Sequence, residues 1–178
     1  CSPTTDDPPG PGNPDWRSPV GLFSDTRDPS GGLDWADAAG PGPHDYASQL
    51  IDYVHGRGCS TVLPSDVLRL GDTMYLHVMV NEGLGTVIRT AIHRSTDDGR
   101  TWEPTGVEFS PLLEGGHRQL WTWERGDDGH VYVLSTGFQR DKGAILMRVR
   151  EEHLADPDLT HWQSWGFREG RWDWGNPT

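Results

Sequence analysis

Carboxylates set in polar loops carry whatever chemistry this sequence can perform. Asp15 lies in Asp15-Trp16-Arg17, Asp66 in Pro64-Ser65-Asp66 and Asp141 in Gln139-Arg140-Asp141. Two carboxyl groups facing each other across a glycosidic bond can cleave it. One protonates the leaving oxygen while the other acts as base or nucleophile. Asp15, Asp66 and Asp141 are therefore the catalytic candidates, and the sequence leaves open which would be acid and which nucleophile. Arg17, Ser65, His117, Gln119, Gln139, Arg140 and Asn176 lie in the same or comparable polar stretches and are candidate substrate-binding residues. Trp121, in Gln119-Leu-Trp-Thr-Trp123, offers an indole platform for a sugar ring.

Other chemistries lack their signatures. His77, His93, His117 and His130 show no spacing typical of zinc ligands, so no metal is expected. Nor is there a nucleophile elbow, a phosphate-binding loop or a dinucleotide fingerprint, so no cofactor is expected. The net charge of −12 argues against nucleic acid and against docking on anionic lipid. No stretch approaches the ~20 apolar residues of a membrane span. An acidic surface with nine tryptophans suits neutral sugars, which stack on indole and hydrogen-bond to carboxylates.

The elements that would hold these residues are short strands. Gly contributes 23 residues and Pro 14, which implies many turns. Alternation is visible in Tyr75-Leu-His-Val-Met-Val80. A unit running VLRLGDTMYLHVMV, VIRTAIHRS, DDGRTWEP is followed by LWTWERGDDGHVYVLST, AILMRVR, LTHWQSWG, with Trp102 and Trp162 in matching places. Two consecutive four-stranded antiparallel units of this length predict an all-β fold of the β-propeller type. The expected layout is a polar tail or loop over 1–14, a partial blade over 15–35 and a loop over 36–58. Blades follow over about 60–110 and 117–168, and the start of another over 171–178. Residues 46–54 read as one short helix. Such a set cannot close a ring, so a segment of a longer protein is expected. The start Cys1-Ser-Pro-Thr-Thr resembles the tether of a lipid-anchored mature chain, which together with glycan chemistry implies a secreted or cell-surface protein.

Ser95-Thr-Asp-Asp-Gly-Arg-Thr-Trp102 fits the Asp-box pattern Ser-x-Asp-x-Gly-x-Thr-Trp. Its logic is structural: Asp97 accepts backbone N–H groups, Gly99 supplies a positive φ, and Trp102 packs under the turn. Asp97 and Asp98 are accordingly poor catalytic candidates, and Asp25 and Asp28 hold the corresponding place in the preceding hairpin. Substrates of propeller enzymes sit on the face opposite these turns, where the candidate loops fall. On alternation, Trp121 and Trp123 share a face, so at least one belongs to the core between blades.

Six ordered segments resemble the endo-D-arabinanase propeller family: residues 16–26, 63–67, 71–80, 119–123, 135–143 and 174–177. The resemblance implies a five-bladed propeller that hydrolyses α-linked D-arabinofuranose chains, as in mycobacterial arabinogalactan and lipoarabinomannan. It also implies that acidic residues on the axial face carry catalysis. Family members place a Gly-Asp-Thr-Phe segment just ahead of the Trp-Arg-Ser motif, and its Asp is a further catalytic candidate. This chain has a Cys-Ser-Pro-rich stretch there instead. A non-catalytic glycan-binding propeller is the alternative. A sialidase-type enzyme would need an arginine triad and a Tyr–Glu pair, of which the sequence gives no clear sign.

Overall fold

A computed structural model of the chain describes residues 17–40, 46–53, 58–83 and 85–178. The fold is all-β and antiparallel. A two-stranded hairpin, β1 (Leu22–Ser24) and β2 (Trp35–Ala38), precedes two larger sheets. Sheet 1 contains β3 (Thr61–Leu70), β4 (Thr73–Glu82), β5 (Thr86–Ser95) and β6 (Glu103–Phe109), in chain order. Sheet 2 contains β7 (Leu120–Arg125), β8 (His130–Thr136), β9 (Ile145–Arg150), β10 (Gln163–Arg168) and β11 (Arg171–Trp174). The sheets do not close into a ring among the described residues.

Alternation decides how the sheets meet. Along β7 and β8 the buried residues are Trp121, Trp123, Val131, Val133 and Ser135, every second position. This face packs on Leu68, Ile92, Val107 and Phe109 of sheet 1, with Met147, Val149, Leu154 and Trp162 completing the cluster. The other face of sheet 1 buries Val62, Leu76, Val78 and Val80 against Ile51, Leu50 and Tyr53. With both faces covered, β4 is buried at every position from Leu76 to Asn81.

A bulge stitches the sheets together. The β3–β4 register shifts between Pro64 and Asp66, which turns Ser65 and Asp66 toward β7. Ser65 Oγ donates to Trp121 O at 2.7 Å and accepts from Trp121 N at 2.6 Å. Asp66 Oδ2 accepts from Thr122 Oγ1 at 2.8 Å and from Trp123 N at 3.2 Å. These two side chains thus partner N–H groups on the outer edge of β7, which among the described residues has a ladder neighbour only on its β8 side.

Three expectations change. Residues 46–53 form no helix, because their backbone pairs with an earlier segment: Leu50 N donates to Pro19 O and Gln49 bridges Val20. Val54, at the end of that expected helix, lies outside the described residues, as do all of 1–14. In the partial blade, only Leu22–Ser24 and Trp35–Ala38 form strands. Arg171–Trp174 adds to β10 as a fifth strand of sheet 2 instead of opening another blade, because Arg168↔Arg171 and Trp165↔Trp174 register across the Glu169-Gly170 turn.

Candidate functional site

Antiparallel order sorts the connections onto two ends. One end carries the β4–β5, β6–β7 and β8–β9 connections; the other carries β3–β4, β5–β6, β7–β8 and β9–β10. The Asp box, between β5 and β6, is built as its residues dictate. Asp97 accepts from Thr101 N at 2.9 Å, Thr101 Oγ1 at 2.6 Å and Ser95 Oγ at 2.7 Å. These bonds hold its pKa down to about 2, those from Thr101 contributing most. Gly99 has φ +82°, and Trp102 Nε1 reaches Gly99 O at 2.9 Å. In the preceding hairpin Asp28 accepts from Ser30 N at 3.0 Å. These carboxylates are consumed by turns.

At the opposite end the connections are wired to one another. Gln119 Nε2 donates to Pro111 O at 2.9 Å, and Phe138 N donates to Gln119 Oε1 at 2.8 Å, so one amide clamps β6–β7 to β8–β9. Gln139 Nε2 reaches Gly85 O at 3.4 Å, tying β8–β9 to β4–β5. Within the β8–β9 turn, Arg140 N donates to Gly137 O at 2.9 Å and Arg140 takes φ +58°. That turn leaves Gln139, Arg140 and Asp141 exposed beside one another. His117 is half-buried, its Nδ1 2.6 Å from Glu114 O, and its carbonyl accepts from Ser135 Oγ at 2.5 Å.

Beneath this surface lies an ion pair. Arg118 Nε donates to Glu114 Oε2 at 2.8 Å and Arg118 Nη2 to Glu114 Oε1 at 3.2 Å. Arg118 Nη2 also reaches Ser164 Oγ at 3.0 Å, and Ser164 hydrogen-bonds Glu114. Burial works to raise the Glu114 pKa, but the bonds from Arg118 and Ser164 outweigh it and hold the carboxyl below its ordinary value. A carboxylate kept ionised is a poor general acid, which needs its pKa raised toward the working pH. Glu114 therefore fixes the Arg118 guanidinium, and with it the β6–β7 connection.

A cavity of about 790 Å³ opens next to this surface, beginning at Ala144, directly after the exposed turn. Trp165, Phe167, Trp172 and Pro177 line it with Ile145 and Leu146. Trp165 and Trp172 stack at 6.5 Å between centroids, and Trp172 is 59% exposed. Asn176 lies beside it, donating to Gly166 O at 3.2 Å. Gly166 is indispensable there, since an added Cβ would fall 2.0 Å from Pro177 O.

The candidates divide accordingly. His117, Gln119, Gln139, Arg140 and Asp141 gather on one surface. Arg17 belongs to the same end of sheet 1: Ser18 Oγ donates to Val62 O near the start of β3, while Arg17 stacks 3.9 Å from the Tyr46 ring centroid and donates to Ala47 O. Asp15 lies outside the described residues. Ser65 and Asp66, expected in a polar loop, sit within β3 and are spent on β7. Trp121 is no platform: it is 3% exposed, with His77 stacked on it at 3.8 Å and 4°. Glu114, Ser164 and the Trp165–Trp172 pair were missed by the sequence reading. The i,i+4 Glu114/Arg118 spacing across Gly115-Gly116 was a usable signal for the first; nothing local pointed to Ser164.

Residues 4–178 match DUF4185, described as a domain of unknown function. The chain belongs to that family. No curated protein matches the DUF4185 chain. The family description carries no activity.

Proposed function

We propose that the chain serves an endo-acting glycoside hydrolase of α-D-arabinofuranosyl polymers, such as mycobacterial or actinobacterial arabinogalactan or lipoarabinomannan, at a secreted or cell-surface location. The observation that carries the reading is the convergence of His117, Gln119, Gln139, Arg140 and Asp141 at the end of the sheets away from the Asp box. Gln119, Gln139, Arg140 and Asp141 come from motifs that resemble the endo-D-arabinanase propellers. The aromatic cavity beside them supports it: sugar rings present apolar C–H faces to indoles and hydroxyls to amides and guanidinium groups. Asp141, exposed in the β8–β9 turn, is the carboxylate best placed to meet substrate.

A glycan-binding module without hydrolysis is favoured by one observation. Both oxygens of Asp66 are committed, to Val67 N at 2.8 Å on one side and to Thr122 and Trp123 on the other. The two readings separate on purified arabinogalactan. Release of arabino-oligosaccharides, abolished in Asp141→Asn, supports hydrolysis with Asp141 as a catalytic residue. Retention on immobilised arabinogalactan without any product supports the binding module, and neither retention nor product would sink both.

A further inference from the structure

The β9–β10 connection, at the Asp-box end, carries a cluster that the proposed glycan chemistry does not use. His153 ends a single 3-10 turn (Glu151–His153) and His161 ends another (Leu159–His161), with Asp156 between them. One ligand atom from each of His153, Asp156 and His161 falls within 4.8 Å of the others. Asp156 Oδ2 stands 3.6 Å from His153 Nδ1 and 3.4 Å from His161 Nε2. A tetrahedral ion bound at about 2.0–2.1 Å separates its ligand atoms by about 3.3–3.5 Å. The two carboxylate–imidazole distances thus sit close to the edge of such a tetrahedron.

The cluster is also braced. Leu154, next to His153, is fully buried, and Trp162, next to His161, is 6% exposed; both belong to the core between the sheets. Asp156 N donates to His153 O at 3.1 Å. Asp158 N holds Asp156 Oδ1 at 2.9 Å, leaving Oδ2 to face the imidazoles. Asp158 itself caps the second turn, accepting from Thr160 N at 3.0 Å. Glu152 Oε1 lies 3.7 Å from His153 Nε2, beyond hydrogen-bond distance but near enough to add negative charge beside the cluster. With neutral imidazoles the cluster holds three carboxylates, Glu152, Asp156 and Asp158, a charge surplus that a dication offsets.

We propose that His153, Asp156 and His161 bind one divalent transition-metal ion of the zinc class, with water completing the coordination. Two imidazoles and one carboxylate select zinc, nickel or copper over calcium and magnesium, which prefer all-oxygen shells. The three side chains are half-buried, which admits the solvent ligand. The imidazole rings stack at 3.7 Å and 3°, and each lone pair lies in its ring plane. Metal entry therefore splays the rings so that the lone pairs converge. The ion would staple the β9–β10 connection, which in sheet 2 takes the place that the Asp box takes in sheet 1. The expectation of no metal considered other histidines, and the spacing His-x2-Asp-x4-His matches no familiar zinc pattern.

The test is calorimetric titration of tag-free, chelator-stripped protein with zinc chloride, alongside calcium and magnesium. One saturable zinc equivalent is expected, with neither alkaline-earth ion competing. Zinc at about 100 times its Kd should raise Tm by roughly 5–10 °C. His153→Gln and His161→Gln should each abolish the binding while leaving the metal-free Tm within a few degrees. His130→Gln, which alters a His–Asp pair elsewhere, should not change it. Side-chain spectra of unsubstituted, 15N-labelled protein give a readout independent of variant folding: two histidines should shift with zinc and the others stay. The absence of saturable binding, binding that survives either His153→Gln or His161→Gln, or shifts at other histidines would overturn the assignment.

Discussion

Asp66 provides the sharpest test, because catalysis and sheet-to-sheet bracing require different outcomes from the same substitution. Its carboxylate accepts from Val67 N within β3 and from Thr122 Oγ1 and Trp123 N across the gap to β7. Asp66→Ala removes both cross-sheet bonds and leaves the Trp123 amide without that acceptor. Hydrogen bonds to charged acceptors contribute about 1.5–3 kcal/mol each, and partial exposure puts these at the low end, so the loss is about 2–3 kcal/mol. For a chain of this length that corresponds to a fall in Tm of roughly 5–10 °C. Asp66→Asn keeps an oxygen for Thr122 and Trp123 and should cost about 1 kcal/mol. Ser65→Ala, which loses both bonds to Trp121, should cost about 1–2 kcal/mol. Urea unfolding followed by tryptophan fluorescence reads these directly, since Trp121 and Trp123 sit at the stitch; the midpoint should move at constant slope. Asp66→Ala within about 0.5 kcal/mol of the parent would refute the bracing argument. So would an Asp66→Asn variant that keeps its stability while losing arabinan cleavage, and that result would return Asp66 to the catalytic set.

Three further outcomes follow from the same structure. Burial, with a contribution from Arg89, lowers the His93 pKa to about 4, and burial followed by His93 lowers that of His77 well below 6.5. The unfolded chain binds the extra protons, so stability is complete above about pH 6.5 and falls as pH drops toward 4. The slope should reach about 1.4 kcal/mol per pH unit for each histidine, and His77→Leu should flatten it in pH-dependent urea melts. Glu114→Gln leaves the buried Arg118 guanidinium without its counter-charge and should cost roughly 3 kcal/mol by thermal unfolding. The parent's share of that stabilisation is present above pH 4.5 and should fade as acid titrates the depressed carboxyl. Gly99→Ala forces a side chain onto φ +82° in the Asp box, and chemical denaturation should show a loss of about 1–2 kcal/mol.

Local chemistry was legible in the sequence wherever a short run of residues closes on itself. Ser95 to Trp102 contains the acceptor, the positive-φ glycine and the indole of its own turn, so the Asp box formed as written. Alternation likewise put Trp121 and Trp123 on one face, whereas β4, where alternation was also expected, is buried at every position from Leu76 to Asn81. What packs against a face is a different question, because it depends on residues far along the chain. The ring of His77 covers Trp121, and this removed the expected sugar platform. A one-residue bulge at Ser65 aimed Asp66 at β7 instead of at a cleft. Ser164, 46 residues beyond Arg118, completes the ion pair that anchors the β6–β7 connection, and Arg171–Trp174 found its partner in β10. Hydrophobic period specifies which side of a strand is buried, while only the three-dimensional meeting of strands decides which buried or polar group stands opposite and which carboxylates stay free to react.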